Sequence, residues 1–108
     1  MIKQQLVIIQ TTVASDMDAR KIATSLLSKK LAGSVHIHGP VETHYMLKGK
    51  EKSDDELVVR ATTQAERIID CINDVKANHK YAVPAILVLP VGGANKPYAD
   101  WVAEQTTK

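Results

Sequence analysis

Hydrophobic periodicity switches repeatedly along this chain, and the order of the switches leaves few folds open. Leu6-Val7-Ile8-Ile9 is a β-branched run closed by Gln10-Thr11-Thr12, and it reads as a strand. Ala19, Ile22, Ala23, Leu26 and Leu27 then recur at helical spacing. Ser15 and Asp16 precede them as N-cap oxygens, and Asp18 adds first-turn charge. Lys29 and Lys30 suit the negative end of that helix, and Gly33 is placed to end it. Ser34 to Leu47 is extended in pattern, with Gly39-Pro40 predicting a bend or bulge and Lys48-Gly49-Lys50 a turn. Glu51 to Asp55 reads as a polar strand start or a loop, and Leu57-Val58-Val59 begins or continues a third strand. The stripe Ala65, Ile68, Ile69, Ile72 and Val75 predicts a second helix over 64–77. Ile86 to Leu89 is a fourth strand, ended by Pro90 and Gly92-Gly93. Asn95 or Pro97 starts a short terminal helix that carries Tyr98, Trp101 and Val102. The order β-α-β-β-α-β plus a tail helix is the split βαβ, ferredoxin-like arrangement. It is an α+β fold with an antiparallel sheet and, because crossovers are right-handed, both helices on one face. The 108 residues make one domain, 1–108.

A sheet covered on one face only should alternate apolar and polar residues. The first and fourth strands do not: Leu6 to Ile9 and Ile86 to Leu89 are apolar at every position. Burying one such side chain stabilises by roughly 1.5–3 kcal/mol, and leaving several in water makes a sticky patch. The second face therefore needs a cover. The terminal helix is one candidate, but it is too short for four strands, and self-association is the simpler solution.

A net charge of +2, with lysines scattered among acids, excludes a nucleic-acid-binding surface as an expectation. The single cysteine, Cys71, allows no internal disulfide and fits a reducing compartment. The apolar run at the N-terminus is too short for a signal-peptide core or a membrane span. The chain is expected to be soluble and cytoplasmic, with no membrane partner.

His36 and His38 share one strand face, and imidazole is a good ligand for Cu(II), Ni(II) or Zn(II). His44 could join them if the bent hairpin points inward. The competing reading is a partly wet polar face. Cys71 lies beside Ile68, Ile72 and Val75 and reads as a small buried hydrophobe rather than a reactive thiol. His79 and Tyr81 are either rim residues of a cleft or, respectively, a helix cap and an interface aromatic. Glu51, Asp54, Asp55 and Glu56 read as a solvated hairpin. Gly92-Gly93 lacks the Lys-Ser/Thr partner of a phosphate loop. No nucleophile elbow and no acid–base pair stands out, so an enzyme is not expected.

From about Leu6 to Val102 the chain resembles the CutA family of divalent-cation tolerance proteins. Thr11-Thr12, Leu26-Leu27, Leu31-Ala32, Tyr45 and Gly49-Lys50 follow the family's order and spacing. His79-Lys80-Tyr81-Ala82-Val83-Pro84 is similar to its His-Pro-Tyr-x-x-Pro signature, and Leu89-Pro90-Val91, Tyr98 and Trp101 to its closing segment. The resemblance implies a homotrimer with facing sheets, with Tyr45, Tyr98 and Trp101 at interfaces. It also implies a role in tolerance of copper(II) or another divalent metal ion, with no organic cofactor. The family's architecture is similar to that of PII signalling proteins, which implies as an alternative a sensor binding a small anionic metabolite in intersubunit clefts. Arg60, His79, Lys80 and Tyr81 would then line the cleft. A structural trimer that anchors another protein is a third expectation. The chain departs from the family pattern at Ser34 (usually Cys), Leu47 (often Trp), Thr62 (Lys), Lys80 (Pro) and Ala85 (Glu).

Overall fold

The strand β1, Leu6–Val13, organises the molecule because its two faces meet different partners. The computed structural model describes residues 5–107. Residues 1–4 and 108, part of the domain expected over 1–108, lie outside the described residues. On one face of β1, Val7, Ile9 and Val13 are almost fully buried. They pack against Ile22 and Leu26 of helix α1 (Asp16–Ser28) and Cys71 and Val75 of helix α2 (Ile68–Asn78). Val59 and Ala61 of strand β3 (Lys50–Gln64) complete that core. Strand β2 (Ser34–Leu47) and strand β4 (Ile86–Pro90) are the edges of a four-stranded antiparallel sheet in the order β2-β3-β1-β4. Helix α3 (Lys96–Gln105) follows β4. The architecture is ferredoxin-like α+β, with α1 and α2 on one sheet face, as the periodicity predicts.

Three local details settle or correct the sequence reading. First, of the two readings of Glu51 to Asp55 the strand holds, and β3 begins one residue earlier still, at Lys50, because Leu47 to Val41 pair in register with Lys50 to Glu56. The polar stretch is thus a paired hairpin arm that outruns β1, and the molecule is elongated, 48 × 26 × 22 Å. Second, Gln64 belongs to β3, where it pairs with Leu6, and the Ala65 N–H continues the ladder to the Gln5 carbonyl at 2.8 Å. A 3-10 turn, Ala65–Arg67, then leads into α2. Third, α1 is not ended by Gly33. Lys30 takes the left-handed conformation (φ 59°), its N–H reaching the Leu27 carbonyl while that of Leu31 reaches Leu26. That bond pair is a Schellman stop. Gly33 serves packing instead: a Cβ there would lie 3.4 Å from the Trp101 ring and from Val102. The N-terminus of α1 is as expected, with Ser15 Oγ accepting from the Asp18 N–H at 3.2 Å.

Candidate functional site

Two regions hold the chemistry-bearing side chains: the sheet face turned away from α1 and α2, and the loop between α2 and β4. Period-two alternation puts Ile8, Gln10 and Thr12 of β1 on that second face, with Arg60 and Val58 of β3, His36 and His38 of β2, and Leu87 and Leu89 of β4. Helix α3 covers only one end of it. Gln64 Nε2 donates to Thr106 Oγ1 at 2.8 Å, and Ser34 Oγ shares a 3.1 Å bond with the Tyr98 hydroxyl. Val102 is completely buried there. Beyond α3 the described residues leave much of the face open: Val58 is buried, but Leu87 is 54% exposed. Trp101 stacks on Tyr98 at 5.8 Å between ring centroids and remains 42% exposed.

His36 and His38 are exposed neighbours on this face. His36 stands across from Arg60, whose Nε donates to Gln10 Oε1 at 2.8 Å. His44 is not brought to them. Between His38 and Val41 the register shifts, because Gly39 and Pro40 together oppose one residue of β3. That extra residue inverts the alternation. His44 consequently points to the opposite side of the arm, with Nε2 3.3 Å from Glu42 and Nδ1 3.6 Å from Glu51. Among the described residues, no group of three or more His, Cys, Asp or Glu side chains is arranged to hold a metal ion. The donors of one chain therefore do not fit a metal by themselves. Two imidazoles beside a guanidinium make at most part of a site, which a second copy would have to complete. Cys71 offers no alternative. It is buried, its Sγ lies 3.1 Å from the Leu31 carbonyl, and burial pushes the thiol up to about 11.

The four residues grouped as a cleft from sequence are divided. Arg60 is on the open sheet face. His79, Lys80 and Tyr81 line a shallow cleft with Val13, Asp18 and Ile22, at the end of β1 and α1. Lys80 Nζ is 3.2 Å from Asp18, and this contact, more than any other, holds the Asp18 carboxyl below its ordinary value. Tyr81 donates to Glu56 at 2.8 Å, and partial burial followed by that carboxylate pushes its phenol up to about 12. Tyr45 lies on the arm, donating to Asp54 at 2.6 Å, which raises its pKa. The role of Glu56 as the buried anchor of Tyr81 is not visible in the sequence, where it sits among acids of a solvated-looking run. Its only local signal is its place directly before Leu57-Val58-Val59.

These features define a ferredoxin-like domain with one half-covered sheet face, and structures of that kind are known. The domain of the family described as CutA1 divalent ion tolerance protein matches residues 7–105. The "Divalent-cation tolerance protein CutA" of Thermus thermophilus is 34% identical over 99 residues, covering 92% of this chain and 96% of that protein. "Protein CutA 1, chloroplastic" of rice is 34% identical over 101 residues, 93% of this chain. The chain spans only 56% of the rice protein's length. The crystal structure of the "Periplasmic divalent cation tolerance protein CutA" of Archaeoglobus fulgidus superposes with a TM-score of 0.91 at 31% identity, over 94% of this chain and 99% of that one. The chain belongs to the CutA1 divalent ion tolerance family. The relatives' names place one in a chloroplast and another in a periplasm, so the family does not fix a compartment. No helix among the described residues is long and apolar enough to cross a membrane.

Proposed function

We propose that the chain works as a homotrimer that closes the open sheet face on itself and handles divalent metal ions without catalytic turnover. The observation that carries this reading is the uncovered face, where Ile8, Leu87 and Leu89 flank Gln10 and Arg60 and α3 reaches one end only. A second and third copy would cover those apolar side chains, as hydrophobic burial requires. The same assembly would repeat His36 and His38 around an axis, supplying the donors that one chain lacks. Cu(II) is the first metal to test, since it binds nitrogen donors most tightly among the divalents. The cytoplasm is the proposed compartment, consistent with a lone buried thiol.

The test is calorimetric titration of Cu(II), and in parallel Zn(II), into metal-free protein. The proposal expects saturable binding, at one ion per trimer or per chain, that is lost when His36→Ala and His38→Ala are combined. Unchanged binding in that double variant would remove these residues as ligands. Affinity should fall on acidification, because an imidazole must be neutral to ligate.

A further inference from the structure

Three consecutive residues after α2 are each fastened to a different part of the fold. Lys80 reaches Asp18 in the first turn of α1, and Tyr81 reaches Glu56 on β3. His79 is the one whose bonds fix a single chemical state. Its Nε2 lies 2.9 Å from the Thr12 carbonyl and 3.0 Å from Thr11 Oγ1, both on β1. Its Nδ1 lies 3.1 Å from the backbone nitrogen of Tyr81. A peptide N–H can only donate, so Nδ1 must carry its lone pair. A carbonyl oxygen can only accept, so Nε2 must carry the proton. The ring is therefore a neutral imidazole with the proton on Nε2. An imidazolium would turn an N–H toward the Tyr81 N–H, replacing a hydrogen bond by a repulsion. The Nε2 bond to Thr12 would survive.

We infer that His79 is the pin of a pH-sensitive clasp, closed while its imidazole is neutral and loosened at Tyr81 when the ring gains a second proton. Among the described residues, the charged and titratable groups around it are few. From α1 comes Asp18, already paired with Lys80 from the loop itself. From β3 comes Glu56, engaged by the Tyr81 hydroxyl. β1 contributes only Thr11 and Thr12, and α2 contributes Asn78. Among the described residues, no carboxylate is bonded to His79 to take over from the lost Tyr81 contact. The sign follows directly: the clasp holds at higher pH and opens as the imidazole protonates. Its consequence is local. The segment 79–85, which feeds β4 and its open-face residues Leu87 and Leu89, loses one of its attachments, and the inference stands whether or not the chain self-associates.

The experiment is a pH series on the intact protein, from about pH 8 to about pH 5, across the range in which imidazoles change charge. Nitrogen NMR of the His79 ring and amide hydrogen exchange at Tyr81 are followed together. At the high end Nε2 should carry the proton and Nδ1 should show an unprotonated, bonded nitrogen. On acidification the protection factor of the Tyr81 amide should fall about five- to tenfold, in step with the ring's own titration, as for loss of one hydrogen bond. In His79→Gln that pH response should be absent. A ring protonated on Nδ1 at high pH would overturn the inference. So would Tyr81 protection that stays constant through the ring's titration, a result readable in the unsubstituted protein even if the variant fails to fold.

Discussion

Lys30 and Gly39 show how single backbone positions shape this chain. Lys30 is a non-glycine residue in the left-handed region, accepted because it completes the stop of α1. Replacing it with glycine, Lys30→Gly, should stabilise the protein by about 1 kcal/mol in urea unfolding, since the strain of the left-handed Cβ disappears. Gly39 has φ 131°, and a Cβ there would meet the Glu56 carbonyl and the Leu57 side chain at 3.0 Å. Gly39→Ala should therefore cost about 1–3 kcal/mol by the same measurement. Tyr81 carries a pH signature. Its phenol is raised from 10.0 to about 12, so the neutral form is favoured by folding. That contribution is complete below the unfolded value near 10 and is lost as pH rises toward 12. Tyr81→Phe should abolish this alkaline loss. At neutral pH it should cost about 1–2 kcal/mol, because buried Glu56 loses its partner. Sequence shows the bend at Gly39-Pro40 and places Lys30 at the end of α1, but the left-handed backbone of Lys30 and the bond from Tyr81 to Glu56 depend on what lies across a helix end or a strand.

Among the elements, the sequence pattern placed every helix and strand in order, because each carries a strong period and its own punctuation. It lost the bounds where tertiary pairing overrides local preference. The polar stretch Glu51 to Asp55 has little strand propensity, but pairing with β2 across a tight turn makes it strand. The same cross-strand accounting explains His44. Alternation predicts its side of β2 only if the bulge at Gly39-Pro40 is counted as one extra residue, and sequence shows the bulge without its register. Helix pairing adds a contact of high sequence separation: Lys29, at the end of α1, lies 2.6 Å from Asp74 of α2, whose side chain is nearly buried. Lys29→Ala should cost about 1.5–3 kcal/mol in thermal or urea unfolding, because it leaves a buried carboxylate unpaired, and Lys29→Arg should recover most of it. An equal loss in both variants would point to packing of the lysine stem instead.

At the scale of the whole molecule, the doubly apolar strands carried the most information about function. They predicted an uncovered second face, and the fold has one, with α3 over one end and Leu87 54% exposed at the other. What occupies that face was not written in the periodicity, since a partner's surface leaves no period in this chain. The family resemblance supplied the expectation of three copies. On this account the face, the exposed Trp101 and the histidine pair all belong to one assembly. Leu87→Glu should then break the assembly while leaving the fold, read by circular dichroism, intact. The most direct measurement is sedimentation equilibrium of the unmodified protein in dilute buffer at neutral pH. The account predicts a single species of three times the 11.8 kDa chain mass. A stable species of 11.8 kDa would contradict it and leave the open sheet face to another partner.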